Sequence, residues 1–215
     1  MTKLFILMGK IVEKNAKDAG KQAVQLKGLL TETNQFKDED LLLPFTTTLG
    51  DEFLGITNSL KTLIECVFFM EDSRFKERHE LILRYVVHYG EIQSPVLKKK
   101  PSEIIGSGLT KTRSLLEEKH RGHPRFLFEF PNKKLSINLT RLFKIIENVS
   151  NRWSRRDYLL IFDMLSVRNN EYVAGKHGKN RSQIWKRRKT LLVEEYRLIK
   201  DVVFDLIEAA EIRRK

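Results

Sequence analysis

The chain has 215 residues, with 40 Lys and Arg against 28 Asp and Glu and a formal net charge of +12, a length that suits one sizeable core and a smaller second module. That charge favours a polyanionic partner, nucleic acid ahead of an acidic membrane surface, and no stretch approaches the roughly 20 consecutive apolar residues of a spanning helix. A single cysteine, Cys66, excludes internal disulfides and thiolate metal clusters and reads as a buried small hydrophobe.

In chain order, Lys3 to Val12 is a compact apolar run of strand character, in which Leu4 to Met8 is too short for a signal-peptide core and lacks a following cleavage site. The cytoplasm is the expected compartment. Asp18 to Leu30 places Ala23, Leu26, Leu29 and Leu30 at helical intervals. Leu41 to Leu49, threonine-rich and entered through Pro44, reads as a strand that ends in a sharp turn at Gly50-Asp51-Glu52-Phe53. Ser59 to Met70 is helical by its Leu60, Leu63, Ile64, Val67 and Phe68 pattern, and Leu81 to Tyr89 is a strand closed by Gly90. Gln93 to Gly108, with two prolines and three consecutive lysines, reads as a loop, followed by a helix from Leu109 to Lys119 and a strand from Arg125 to Phe130.

Strands separated by helices, with one strand-turn junction lacking a helix, predict an α+β fold of the ferredoxin-like kind over residues 1–131, its helices on one face of the sheet. From 135 to 215 the strand signals cease. Leu139, Leu142, Phe143 and Ile146 begin a helical stripe that continues through Tyr158 to Leu165 and Leu191 to Ile207, predicting an all-α second module.

That module carries a helix-turn-helix pattern between Asn170 and Lys189. Such a motif needs a small residue where the first helix crosses the second, a turn residue tolerant of left-handed geometry, and an apolar residue on the second helix facing the first. Ala174, Gly178 and Ile184 stand at the required intervals, Val173 adds an inward contact, and Asn180 is a suitable cap. The outer face is then expected to show Arg181, Ser182, Gln183, Lys186 and Arg187, residue types that bond base edges or phosphates. Lys176, Lys179, Arg181, Lys186, Arg187, Arg188 and Lys189 crowd one stretch without a carboxylate, the segregation expected of a phosphate-binding surface. Lys179 occupies a turn position where an apolar residue is usual, and Arg187 a position that more often points inward. Trp185 reads equally as a base or phosphate contact and as packing on the preceding helix. Leu192, Tyr196, Ile199, Val203 and Leu206 form an apolar stripe beyond the motif, read either as packing within the chain or as the seam of a homodimer.

The acidic turn Thr48-Leu49-Gly50-Asp51-Glu52-Phe53-Leu54-Gly55, together with Ile6-Leu7-Met8-Gly9, Leu83 to Ile92 ending in Tyr89-Gly90-Glu91-Ile92, and Val173 to Lys186, resembles the SatD family over nearly the whole chain. The resemblance implies a degenerate nucleotidyl-cyclase-type, GGDEF-like ferredoxin fold joined to a C-terminal helix-turn-helix. In active enzymes of this fold, a first-strand aspartate and an acidic turn residue hold two magnesium ions against nucleotide phosphates. Here Lys10 follows the first-strand glycine and Ser107 stands between Gly106 and Gly108, where the family pattern has aspartates. An ammonium group repels magnesium, so the expected reading of Asp51 and Glu52 is structural or relict, with no cofactor and no catalysis. His79, His88, His120, His123 and His177 lack metal-ligand spacing, and Lys119-His120-Arg121-Gly122-His123-Pro124 reads as a basic loop.

The sequence thus predicts a DNA-binding regulator with double-stranded DNA as partner, pairing as a homodimer, with Lys176, Lys179, Asn180, Arg181, Ser182, Gln183, Lys186, Arg187 and Lys189 at the interface. Its first module senses a ligand, a nucleotide among the candidates, or mediates assembly. The alternatives are a metal-dependent nucleotidyl-transfer or cyclase activity at Asp51 and Glu52, and a protein-interaction module built on the last helix.

Overall fold

A strand that is apolar at successive positions needs cover on both faces, and the first strand sets this requirement for the sheet. The computed structural model describes residues 2–12, 19–48, 51–77, 81–93, 105–118 and 124–212. Leu49, Gly50, His79, the lysine run 98–100, both prolines of the 93–108 loop, and His120 and His123 in the basic loop lie outside the described residues. Two compact units form, Met1–Met70 with Glu80–Thr140, and Glu71–His79 with Arg141–Lys215.

In the first unit β1 (Thr2–Ile11), α1 (Ala19–Phe36), β2 (Leu43–Thr47), β3 (Glu52–Thr57), α2 (Leu60–Lys76) and β4 (Leu83–Ile92) follow one another, then α3 (Ser107–Glu117), β5 (Phe126–Glu129) and the start of α4 (Lys133–Ser150). The sheet order is β2-β3-β1-β4-β5, with β1 antiparallel to β3 and β4, and β5 parallel to β4. Its first four strands have the ferredoxin-like order, and α3 with β5 adds one parallel crossover.

That crossover corrects the expectation of helices on one face. Leu4, Ile6 and Met8 join Leu54, Ile56 and Val86 in a cluster completed by Leu109, Leu115 and Leu116 of α3. Residues pointing the other way, Phe5, Leu7, Phe45, Phe53, Tyr85 and Phe126, are equally buried. They include an aromatic chain with ring centroids 6.3 Å apart for Phe45–Phe53, 6.1 Å for Phe53–Tyr85 and 5.2 Å for Tyr85–Phe126. The start of α3 lies directly on β4, where a Cβ on Gly90 would stand 2.7 Å from the Cα of Gly108, so both glycines are needed for the approach.

Three elements outrun their sequence patterns. Glu52 and Phe53, expected within a sharp turn, instead open a strand, β3, paired on both sides. Helix α1 continues to Phe36 because its polar end is tied down: Thr33 Oγ1 donates to the Leu29 carbonyl at 2.7 Å, and the Asn34 amide holds both the N–H and the C=O of Phe45, at 2.7 and 2.9 Å. Helix α2 continues to Lys76, and its last turns belong to the second unit. Cys66, on its first half, is buried, and that burial pushes its thiol pKa up to about 12.

The expected module boundary at 131–135 is likewise displaced. The first turn of α4 stays with the sheet, since Ser136 Oγ accepts from the Phe130 N–H at 2.9 Å, and the division falls between Thr140 and Arg141.

The second unit contains the rest of α4, a 3-10 turn (Arg155–Asp157), α5 (Tyr158–Ser166), α6 (Asn170–Lys176), α7 (Arg181–Thr190) and α8 (Val193–Ile212), with the end of α2 inserted. Phe75, fully buried, stands edge-on to Trp153 and Tyr158 with centroids 5.0 and 5.1 Å away. Asp72 accepts from Tyr196 Oη at 3.0 Å and pairs with Lys200 Nζ at 2.5 Å. The Trp153 indole N–H closes the end of α7 by donating to the Leu191 carbonyl at 2.7 Å. Of the apolar stripe beyond the motif, Tyr196 and Val203 are buried within the chain, and Leu192, Ile199 and Leu206 are partly buried.

Replacing Phe75 by alanine is expected to cost about 3–5 kcal/mol of stability, as for other buried phenylalanines, measured by denaturant unfolding of the full chain.

Candidate nucleic-acid interface

The helix-turn-helix is built on local rules. Asn169 caps α6 by accepting from the N–H groups of Glu171 and Tyr172 at 2.8 and 3.1 Å. The helix ends in a Schellman turn: Gly178 has φ +60°, and the Lys179 N–H reaches back to the Ala174 carbonyl at 2.9 Å. Asn180 and Gln183 then form a reciprocal capping box that opens α7, each side chain accepting from the other's backbone N–H at 2.9 Å. Val173, Ala174 and Ile184, the three expected inward residues, are buried.

Helix α7 carries five cationic residues and no carboxylate, and their side chains divide into different roles. Arg181, Ser182, Trp185, Lys186 and Lys189 are exposed, and Lys179 is exposed in the turn. Spacings of four residues put Arg181, Trp185 and Lys189 along one face, with Ser182 and Lys186 beside them. Gln183 is exposed, yet its side-chain oxygen is engaged in the capping box. Arg187, expected on the outer face, is instead half-buried and pairs with Asp157 at 2.5 Å. Lys176 pairs with Asp163 at 2.7 Å while its side chain remains open to solvent.

Arg188 departs most from the expected basic surface. It is buried, and its Nε donates to Asn170 Oδ1 at 2.5 Å, one terminal nitrogen to the Met164 carbonyl at 2.8 Å and to Glu194 Oε1 at 3.2 Å, and the other to the Val167 carbonyl. Arg197 meets the same helix end, donating to the Met164 and Leu165 carbonyls at 2.6 and 2.7 Å. Two guanidinium groups therefore close the C-terminus of α5, where orphan carbonyls and the helix dipole favour cations.

Asp163 performs a parallel task at the end of α6. It accepts from Lys176 Nζ at 2.7 Å and from His177 Nε2 at 2.8 Å. Burial pushes its pKa up, but the hydrogen bonds from Lys176 and His177 outweigh that and hold the carboxyl below its ordinary value. The sequence pattern missed Asp157, Asp163 and Arg188 as anchors of the motif. The signal available for Arg188 was its place four residues after the inward-facing Ile184.

At the acidic turn, the backbone carbonyl of Asp51 accepts from the Ile11 N–H at 3.3 Å and that of Glu52 from the Thr48 N–H at 2.9 Å, so both residues close the strand ends. Lys10 is the register partner of Glu52 on one side and of Arg84 on the other. Arg84 donates to the Glu118 and Leu115 carbonyls at 2.9 and 3.2 Å, capping α3. A divalent cation beside Glu52 would share its strand row with two cationic side chains, and this donor set does not fit a two-metal centre. Among the described residues no group of three His, Cys, Asp or Glu is placed to hold a metal ion, and no helix is long and apolar enough to cross a membrane. His88 bonds the Glu129 carbonyl at 2.9 Å. No protein-family model matches the chain, and no curated protein matches it.

Nothing lies within 4 Å of where a Cβ on Gly178 would stand, so the cost of Gly178→Ala is conformational only, about 1–2 kcal/mol by denaturant unfolding. Asp163 gives a pH signature. A depressed carboxyl stabilises the fold above its unfolded pKa, near ~3.9, and that stabilisation is lost as pH falls through the folded value. The stability gap between the natural chain and Asp163→Asn is therefore expected to be widest above pH ~5 and to close as acid protonates Asp163.

Proposed function

We propose that the protein binds duplex DNA through α7 and acts as a regulator rather than an enzyme. The observation that carries this reading is the outer face of α7: Arg181, Ser182, Lys186 and Lys189 exposed together on a helix with no carboxylate. Arg181, Lys186, Lys189 and Lys179 supply phosphate contacts that set register, while Arg181, Ser182 and Lys186 reach base edges. Asn180 and Gln183 serve the site by capping the reading helix, and Arg187 by bracing it on Asp157. Lys176 stays at the rim, shared with Asp163.

The exposed Arg155 and Arg156 extend the basic surface, because they immediately precede the aspartate that Arg187 grips. Two copies on neighbouring half-sites complete the reading, since one ten-residue helix spans few base pairs. The first unit then senses a ligand, with a nucleotide as one candidate, or mediates assembly. Its strand order supports a cyclase-like module, as the resemblance to the SatD family implies, and the cationic row at Arg84 and Lys10, the latter where that pattern has an aspartate, supports the absence of metal-dependent turnover.

The experiment is selection of bound sequences from a random duplex pool at two salt concentrations, for the natural chain and for Arg181→Ala/Lys186→Ala. The double variant is expected to lose at least about tenfold in affinity and to show a salt slope lower by about two, with unchanged unfolding. Retention at natural affinity by that variant would sink the assignment of α7.

A further inference from the structure

An indole exposed on a folded surface leaves apolar area in water, and Trp185 does so at 49% exposure in the middle of α7, which carries five cationic residues and no carboxylate. Arg181 lies four residues before it and Lys189 four residues after, so all three project from one face. The Lys189 ammonium sits 4.1 Å from the ring centroid, over one π face. Two residues expected to read or grip DNA are engaged elsewhere, Gln183 in its capping box and Arg187 on Asp157. The outward face that remains offers charge from Arg181, Lys186 and Lys189, one hydroxyl from Ser182, and one large apolar edge.

We propose that Trp185 is a specificity-determining contact of this face, its ring edge meeting the 5-methyl group of a thymine in the major groove. The inference rests on the DNA-binding reading above. An α-helix about 10–12 Å across fits a major groove about 12 Å wide, and among the bases only thymine presents a methyl group there. The surrounding cations suit the phosphates on either side of the groove. Stacking of an unpaired base on the covered ring face would first displace the Lys189 ammonium. The ring edge needs no such displacement, so an edge contact leaves the Lys189 ammonium in place over the ring.

The test uses the full chain and the duplex enriched from the random pool, with each thymine replaced in turn by deoxyuridine, which removes only the methyl group. At the contacted thymine the natural chain is expected to lose about fourfold in affinity, the worth of one buried methyl group. Trp185→Ala is expected to bind the thymine duplex about fourfold or more weakly and to lose nothing further with deoxyuridine. Trp185→Phe, which keeps an aromatic edge, retains methyl sensitivity. The fluorescence of the buried Trp153 reports folding in each variant.

The proposal is overturned if the natural chain ignores every deoxyuridine, or if Trp185→Ala loses as much as the natural chain at the same thymine. It is also overturned, in favour of stacking, if Trp185→Ala weakens binding of the single strand and leaves the duplex unchanged. Failure of the natural chain to retain any duplex sinks the DNA-binding reading and this contact with it. Retention without methyl sensitivity sinks this contact alone.

Discussion

A buried guanidinium has to be satisfied on all sides, and the helical unit depends on how Arg188 meets that demand. Its hydrogen bonds go to Met164 and Val167 at the end of α5, to Asn170 at the start of α6, and to Glu194 at the start of α8. Four helices are thereby referred to one side chain. Burial lowers its pKa, yet a guanidinium remains charged throughout the accessible range, so the constraint persists at any working pH. Because Arg188 and Ile184 fix the inward side of α7, the outward side is determined too, and it is the face with Arg181, Trp185 and Lys189.

The same economy governs the acidic and basic residues around the motif. Asp157 and Asp163 neutralise Arg187 and Lys176 at the inner margin of the basic stretch, where like charges would otherwise crowd a short turn and helix. What remains exposed is cationic without being self-repulsive at its base. At the sheet end of the first unit the arrangement is reversed, with Lys10 and Arg84 flanking a single glutamate row position. There the Arg84 guanidinium caps α3, while the strand ends are closed by the backbone carbonyls of Asp51 and Glu52.

Much of the motif was legible in the sequence because it is governed by contacts within a few residues. The spacing of Ala174, Gly178 and Ile184 and the cap at Asn180 depend on local backbone geometry. The allocation of the cations was not legible, since Arg187 and Arg188 are claimed by Asp157, Met164 and Val167, more than a helix away along the chain. In the first unit the unbroken apolar run of β1 already demanded cover on both faces, but the pattern does not say which helix supplies the second. Strand β3 was obscured because the Gly-Asp-Glu-Phe segment, read as a turn, supplies its first two residues, Glu52 and Phe53, and the extensions of α1 and α2 rest on Asn34, Asp72 and Phe75, whose partners lie outside those helices. Polar and isolated aromatic residues with distant partners leave no periodic trace.

The insertion of the end of α2 into the helical unit also sets an order of events during synthesis. Asp72 and Phe75 leave the ribosome long before Trp153, Tyr158, Tyr196 and Lys200, so the first unit has to be made with this helix end still lacking the rings and charges that later enclose it. A chain that emerges N-terminal end first cannot complete the helical core until α8 has been translated. Phe75 therefore meets its ring partners only after Trp153 and Tyr158 have been made.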